Sequence, residues 1–197
     1  QHLYHTTAIR LYEYLSLSRA DAITAVSHFT SRDIPYNPRH LPIHTIHNWV
    51  NTSVFVPAVK TARESDRPYK LLFVGNFSQR KGADLLAPIM ERLGPDYFLE
   101  VVSGRQDSIS YNLPKNMSFL GRLPEGALTL IERYQGCDAL LFPSRLEGFS
   151  LALLEAMACG KPVICANSSS LPEAVEDGVS GILCRTDDID AFVKACQ

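Results

Sequence analysis

From Tyr69 onward the chain alternates short apolar runs with stretches whose apolar residues recur every three or four positions. The runs Tyr69 to Gly75, Tyr97 to Ser103, Met117 to Leu120, Asp138 to Phe142, Val163 to Ala166 and Gly181 to Cys184 predict short buried strands, several of them halted by Gly or Pro. Between them, Lys81 to Leu93 sets Leu85, Leu86, Ile89, Met90 and Leu93 on one helical face, although Pro88 removes a helix hydrogen bond there. Pro124 to Tyr134 does the same with Leu128, Ile131 and Tyr134. Ser150 is placed to cap a helix whose apolar face is Leu153, Leu154 and Met157 and whose end is Gly160. Leu171 to Glu176 reads as a short helix and Asp187 to Cys196 as the start of a last one. Strands alternating with helices in this way predict an α/β fold, a Rossmann-like parallel sheet with helices on both faces. Such sheets bind ligands beyond the carboxyl ends of their strands. Those ends carry Gly75-Asn76, Gly104-Arg105, Gly121-Arg122 and Pro143-Ser144.

The preceding residues follow another pattern. Leu11 to Arg19 predicts a helix, Ala22 to Val26 a strand, and Ser27 the cap of a short helix from His28 to Asp33, after which Pro35, Pro38, Pro42 and Pro57 interrupt the chain. One strand cannot pair its own edges or cover both its faces. The expectation is therefore that residues 1–40 are the end of a different domain plus a linker, and that residues 41–197 form the ligand-binding domain.

Composition narrows the function classes. With 46% apolar residues, 20% charged residues and a formal net charge of -2, neither a disordered chain nor a sequence-independent nucleic-acid binder is expected. No apolar run reaches the roughly 18 residues of a membrane span. The five cysteines contain no Cys-x-x-Cys pair and read as buried reduced thiols of a cytoplasmic protein. All six histidines precede Trp49, and their i, i+3 pairs, His2/His5 and His44/His47, lack the spacing of a metal site, so no metal ligands are assigned.

The stretch Ser144 to Gly160 (SRLEGFSLALLEAMACG) carries the most chemistry. Glu147 lies in the loop after a strand and Glu155 within the following helix. Between them, Gly148, Phe149, Ser150 and Leu151 bring the open N–H groups of a helix start, which favour an anion such as phosphate. Glu155 is placed to accept hydrogen bonds from a ribose diol, and Glu147 to meet a sugar.

Glu147-x7-Glu155, set in P-S-x-x-E-G-F-x-L-x-x-L-E-A-M-A-C-G-x-P-V, resembles the Glu-x7-Glu motif of glycosyltransferase family 4. Val74-Gly75 with Lys81-Gly82 is similar to that family's V-G-x-x-x-x-x-K-G segment, Phe119-Leu120-Gly121 to its F-x-G, and Pro172-Glu173-Ala174-Val175-x-Asp177-Gly178 to its P-E-x-V-x-D-G. Ala20 to Ser27 resembles the last strand of the family's N-terminal domain, and Ile46 to Pro57 the approach to its C-terminal domain. The family consists of retaining enzymes of the GT-B fold, in which two Rossmann-like domains face a cleft.

The resemblance implies that this chain is the donor-binding half of such an enzyme, with residues 41–197 its C-terminal nucleotide-sugar-binding domain, truncated at its end. The full protein would transfer a sugar from a nucleoside-diphosphate sugar to a hydroxyl acceptor, a glycan or lipid-linked glycan, with retention. It would serve polysaccharide biosynthesis in the cytoplasm or at the inner face of the membrane, without nucleic acid. By the same resemblance, Lys81 and Arg80 would bind the diphosphate, with Glu147 completing the catalytic set. Glu155 would hold the ribose, and the amides of Phe149, Ser150 and Leu151 the distal phosphate. Gly121 and Arg122 would lie under the base, and Gly75, Asn76, Ser144 and Gly148 would complete the donor site. No metal or other cofactor is required, because Lys81, Arg80 and the helix start supply the positive charge. The chain departs from the family pattern at Asn76, where many members carry Arg, at Asn48-Trp49, and at Ser169-Ser170, where the family has paired glycines. The chain alone is expected to be inactive. Two alternatives stand beside this reading, a nucleotide-sugar-binding module without turnover and a UDP-sugar epimerase-like GT-B protein.

Overall fold

The computed structural model of the chain describes residues 2–34, 37, 39–59, 66–104, 113–123 and 128–197. Pro35, Pro38, Arg105 and the Pro124 start of the second predicted helix lie outside them. The chain divides into two compact units, residues 1–48 and 49–197.

The first unit contains helix α1 (His2–Arg19), strand β1 (Ile23–Ala25), helix α2 (His28–Arg32) and strand β2 (Ile43–Thr45). Ser27 caps α2 as its sequence predicts, its hydroxyl accepting the Thr30 N–H at 3.0 Å. The strand that stood alone in the sequence has a parallel partner, with Ile23 opposite Ile43. β2 is only three residues long and largely exposed, so it lacks the apolar run by which a strand announces itself. Its pairing draws residues beyond 40 into the first unit.

The second unit is a six-stranded parallel sheet of β3 (Tyr69–Val74), β4 (Tyr97–Val102), β5 (Met117–Gly121), β6 (Ala139–Phe142), β7 (Val163–Ala166) and β8 (Gly181–Cys184). The helices are α3 (Ala83–Leu93), α4 (Leu128–Gly136), α5 (Leu151–Ala158), α6 (Leu171–Ala174) and α7 (Ile189–Cys196). α3 packs on α7, and α4 on α5. β6 and β7 are buried at every residue, which is why they read as unbroken apolar runs rather than alternating ones. α3 continues through Pro88. A mid-helix proline costs ~3 kcal/mol, and burying Leu85, Leu86, Ile89, Met90 and Leu93, at about 1.5–3 kcal/mol each, outweighs it.

The strand order is β5-β4-β3-β6-β7-β8. The chain therefore starts at the middle of the sheet, builds outward through β4 and β5, and returns to β3's other side with β6. The loops leaving β3 and β6 run in opposite directions and open a crevice between them, the switch point where sheets of this kind take ligands.

The predicted α3 shortens at its start. Lys81 lies not in the helix but in a 3-10 turn, Gln79–Lys81, and Gly82 separates the two with φ of +70°. A side chain at Gly82 is excluded twice, by that left-handed backbone and because its Cβ would fall 2.1 Å from the Pro143 carbonyl oxygen. Cys137, Cys159, Cys165 and Cys184 are buried free thiols and Cys196 is half-buried. Burial pushes the Cys137 and Cys165 thiols up to about 12, which keeps them protonated and unreactive.

Candidate functional site

Lys81, carried by the turn after β3, and Glu147, carried by the loop after β6, meet across the switch point. The Lys81 ammonium lies 2.6 Å from Glu147 Oε1, with both side chains largely withdrawn from solvent. The Ser144 hydroxyl donates to the same carboxylate oxygen at 2.5 Å. The ammonium also lies 5.2 Å from the centre of the buried Phe142 ring, a cation–π contact that helps hold it in place. Only the close approach at Gly82 lets the turn reach Pro143 and bring the two charges together.

The two loops are stitched together through backbone groups. The Arg145 N–H donates to the Arg80 carbonyl at 3.0 Å, and the Arg80 guanidinium donates to the Leu146 carbonyl at 2.7 Å. Arg80 is therefore partly committed to holding the Glu147 loop, with its other donors available to a ligand. Arg145 clasps both Asp84 oxygens, at 2.7 and 2.8 Å, and donates to Asp187 at 2.7 Å. It also donates to the Gln79 carbonyl. The Arg145 guanidinium holds the Asp84 carboxyl below the usual carboxylate range.

Ser169 and Ser170 hold the Glu147 peptide from the other side. Ser169 Oγ accepts the Glu147 N–H at 2.9 Å, and the Ser170 hydroxyl donates to the Glu147 carbonyl at 3.1 Å. Ser169 takes φ of +50°, a backbone region in which glycine is at ease. That conformation is a physical reason for the glycine found at this position in the resembling motif.

Glu155 occupies a different environment. It projects from α5 half-buried, and the phenol of Tyr134 on α4 donates to its Oε2 at 2.7 Å. Burial raises the Glu155 carboxyl above its usual range, and the phenol's hydrogen bond opposes that shift. The Tyr134 phenol is itself held well above its ordinary value, chiefly by burial and then by the neighbouring carboxylate.

The remaining predicted residues fall on two surfaces. Gly75, Asn76 and Arg122 line a cleft of about 450 Å³ with Val74, Ser103 and Leu130, beyond the carboxyl ends of β3, β4 and β5. Gly104 is bare of a side chain where the stem of Arg122 passes, 3.1 Å from where a Cβ would stand. Gly121 ends β5 with φ of +70° and turns the chain toward Arg122. The cleft adjoins the ion pair, since a Cβ on Gly75 would lie 3.9 Å from the Lys81 side chain. Gly148, Phe149, Ser150 and Leu151 lead into α5. Phe149 and Ser150 are buried, whereas Gly148 and Leu151 are exposed. Ser150 stands at the N-cap, but its hydroxyl makes no cap hydrogen bond, contrary to the sequence expectation.

Sequence reasoning missed the supporting groups. Tyr134 read as one more apolar position on its helix, and Arg145 occupied an unassigned place in its motif. No helix among the described residues is long and apolar enough to cross a membrane.

Comparison with known proteins places this geometry. The family model for Glycosyl transferases group 1 matches residues 58–197. The chain is 33% identical over 133 residues, 61% of its length, to an O-antigen chain mannosyltransferase B of Escherichia coli. It is 32% identical over 166 residues, 76% of its length, to a D-inositol 3-phosphate glycosyltransferase of Mycolicibacterium gilvum. It spans about a third of these curated relatives, 34% and 37% of their lengths. Its fold superposes on a sucrose-phosphate synthase from Thermosynechococcus elongatus with a TM-score of 0.82 and 25% identity, over 98% of this chain and 52% of that one. It superposes on Anabaena HepE, solved with UDP-glucose, with a TM-score of 0.80 and 20% identity, over 95% of this chain and 56% of that one.

Proposed function

Because the chain belongs to the Glycosyl transferases group 1 family, we propose that it is the donor-binding half of a retaining, metal-independent glycosyltransferase that uses a nucleoside-diphosphate sugar. The observation that carries this reading is the Lys81–Glu147 pair at 2.6 Å, held across the sheet's switch point beside an open cleft.

In this reading the nucleoside enters the cleft over Gly75 and Arg122, and Glu155 takes the ribose diol. The diphosphate then lies at Lys81, Arg80 and the first amides of α5. As the bond from sugar to phosphate breaks, negative charge grows on the departing diphosphate, and fixed cations and N–H groups stabilise it where it develops. Glu147, held by Ser144 and by the serines on its peptide, presents its carboxylate to the transferred sugar. Lys81 carries three donors and can keep Glu147 while it takes up a phosphate oxygen. The charge comes from side chains and backbone, and the reading calls for no metal ion. The acceptor is a hydroxyl of a glycan or lipid-linked glycan, bound by parts of the protein outside this chain. HepE, solved with UDP-glucose, lends support to the donor class.

Calorimetry of the chain with UDP-, GDP- and ADP-sugars tests the reading. Heat with one base series is expected, and silence with all of them overturns it. Proton NMR of the product made by the longer protein reads the anomeric outcome, and an inverted product would refute retention.

A further inference from the structure

Helix α4 contributes to the site twice. Leu130 forms part of the cleft wall, and Tyr134, one turn further on the same face, sends its phenol to Glu155. The Tyr134 ring is fully buried and stands edge-on to Phe55, with centroids 6.0 Å apart and planes at 75°. Its position is therefore set by packing before any ligand arrives. An O–H to carboxylate bond of 2.7 Å is charge-assisted and directional. It takes one acceptor site of Oε2 and fixes the carboxylate plane, leaving the remaining sites of the two oxygens to a ligand.

We propose that Tyr134 is a positioning residue which, by bonding Glu155 Oε2, holds the carboxylate in one orientation for the ribose hydroxyls and makes the site prefer ribonucleotides over 2′-deoxyribonucleotides. The inference rests on reading Glu155 as the ribose contact. A diol can give two hydrogen bonds to a carboxylate held in one orientation, whereas a 2′-deoxyribose gives one. A carboxylate free to rotate discriminates less between them.

The test uses the 197-residue chain and calorimetry with matched pairs, UDP and 2′-deoxy-UDP or the corresponding pair for whichever base binds, with inorganic pyrophosphate as a third ligand. The native chain is expected to bind the ribonucleotide on the order of tenfold tighter, as for a hydrogen bond to a charged group. Tyr134→Phe keeps the ring and loses the donor. It is expected to lower that ratio at least threefold and to lower the melting temperature modestly, because the half-buried Glu155 loses its donor, while pyrophosphate affinity stays as it was. Phe55→Leu, which keeps the phenol and loosens its packing, should lower the ratio by a smaller factor. Glu155→Ala separates the two layers of the argument. If it abolishes the ratio while Tyr134→Phe preserves it, the positioning role is refuted and the ribose reading stands. If Glu155→Ala leaves the ratio intact, the ribose reading fails and takes the inference with it. A parallel loss of pyrophosphate affinity in Tyr134→Phe would mark a merely structural tyrosine and overturn the proposal.

Discussion

Glu147 and Glu155 belong to one short motif, yet the fold gives them different partners. Glu147 sits in a loop, nearly buried, against an ammonium 2.6 Å away and a hydroxyl 2.5 Å away. Glu155 sits on a helix, half-buried, with a phenol as its recorded side-chain partner. In the first setting the carboxylate is neutralised by a cation from the neighbouring loop, so any anion that enters competes with it for that cation. In the second, burial makes the charge costly and one donor orients it. Spacing alone does not distinguish the two settings; the groups opposite each carboxylate do.

The largest expected effect tests the cation side. Gly82→Ala forces a Cβ against the Pro143 carbonyl at a left-handed position. It should cost about 3 kcal/mol or more of stability, measured by urea denaturation. A variant as stable as the native chain would show that the turn holding Lys81 can adjust freely.

Lys81→Ala comes next. It should weaken binding of a nucleoside diphosphate by about 1.5–3 kcal/mol, as for loss of a hydrogen bond to a charged group. Unchanged affinity by calorimetry would remove Lys81 from the diphosphate site. Glu147→Gln should act in the opposite direction on the bare diphosphate. With its competitor gone, Lys81 should bind the nucleotide tighter by on the order of 1 kcal/mol, while sugar transfer by the longer protein falls. Weaker diphosphate binding in this variant would mean that the two carboxylates do not differ as described.

The smallest effect concerns pH. Burial holds the Glu155 carboxyl above its usual range, so the folded state keeps that proton more tightly than the unfolded state. Stability from this group is therefore lost as pH rises from the ordinary carboxylate range through the raised value. Glu155→Gln should melt higher than the native chain at neutral pH, and the gain should vanish at a pH below the ordinary carboxylate range. A gain that persists in acid would point to a cause other than ionisation.

The apolar runs and helical stripes predict the sheet of the second unit, because strands of a helix-covered parallel sheet are apolar at most positions, throughout in the central β6 and β7, and each covering helix is apolar on one side. Val163–Ala166 and Gly181–Cys184 match their predicted bounds residue for residue. β2 escaped notice because Ile43–Thr45 is short and exposed, and local pattern cannot reveal a pairing made across a connection. The family resemblance of the V-G-x-x-x-x-x-K-G and Glu-x7-Glu segments named Lys81, Glu147 and Glu155 as candidates. Strand order lay beyond its reach. The placement of β6 beside β3 sets Lys81 opposite Glu147 across 66 residues of chain. The packing of α4 on α5 turns an apparent core tyrosine into a donor for Glu155. Periodicity records which face of an element is buried, whereas which groups meet across elements depends on how those elements are stacked.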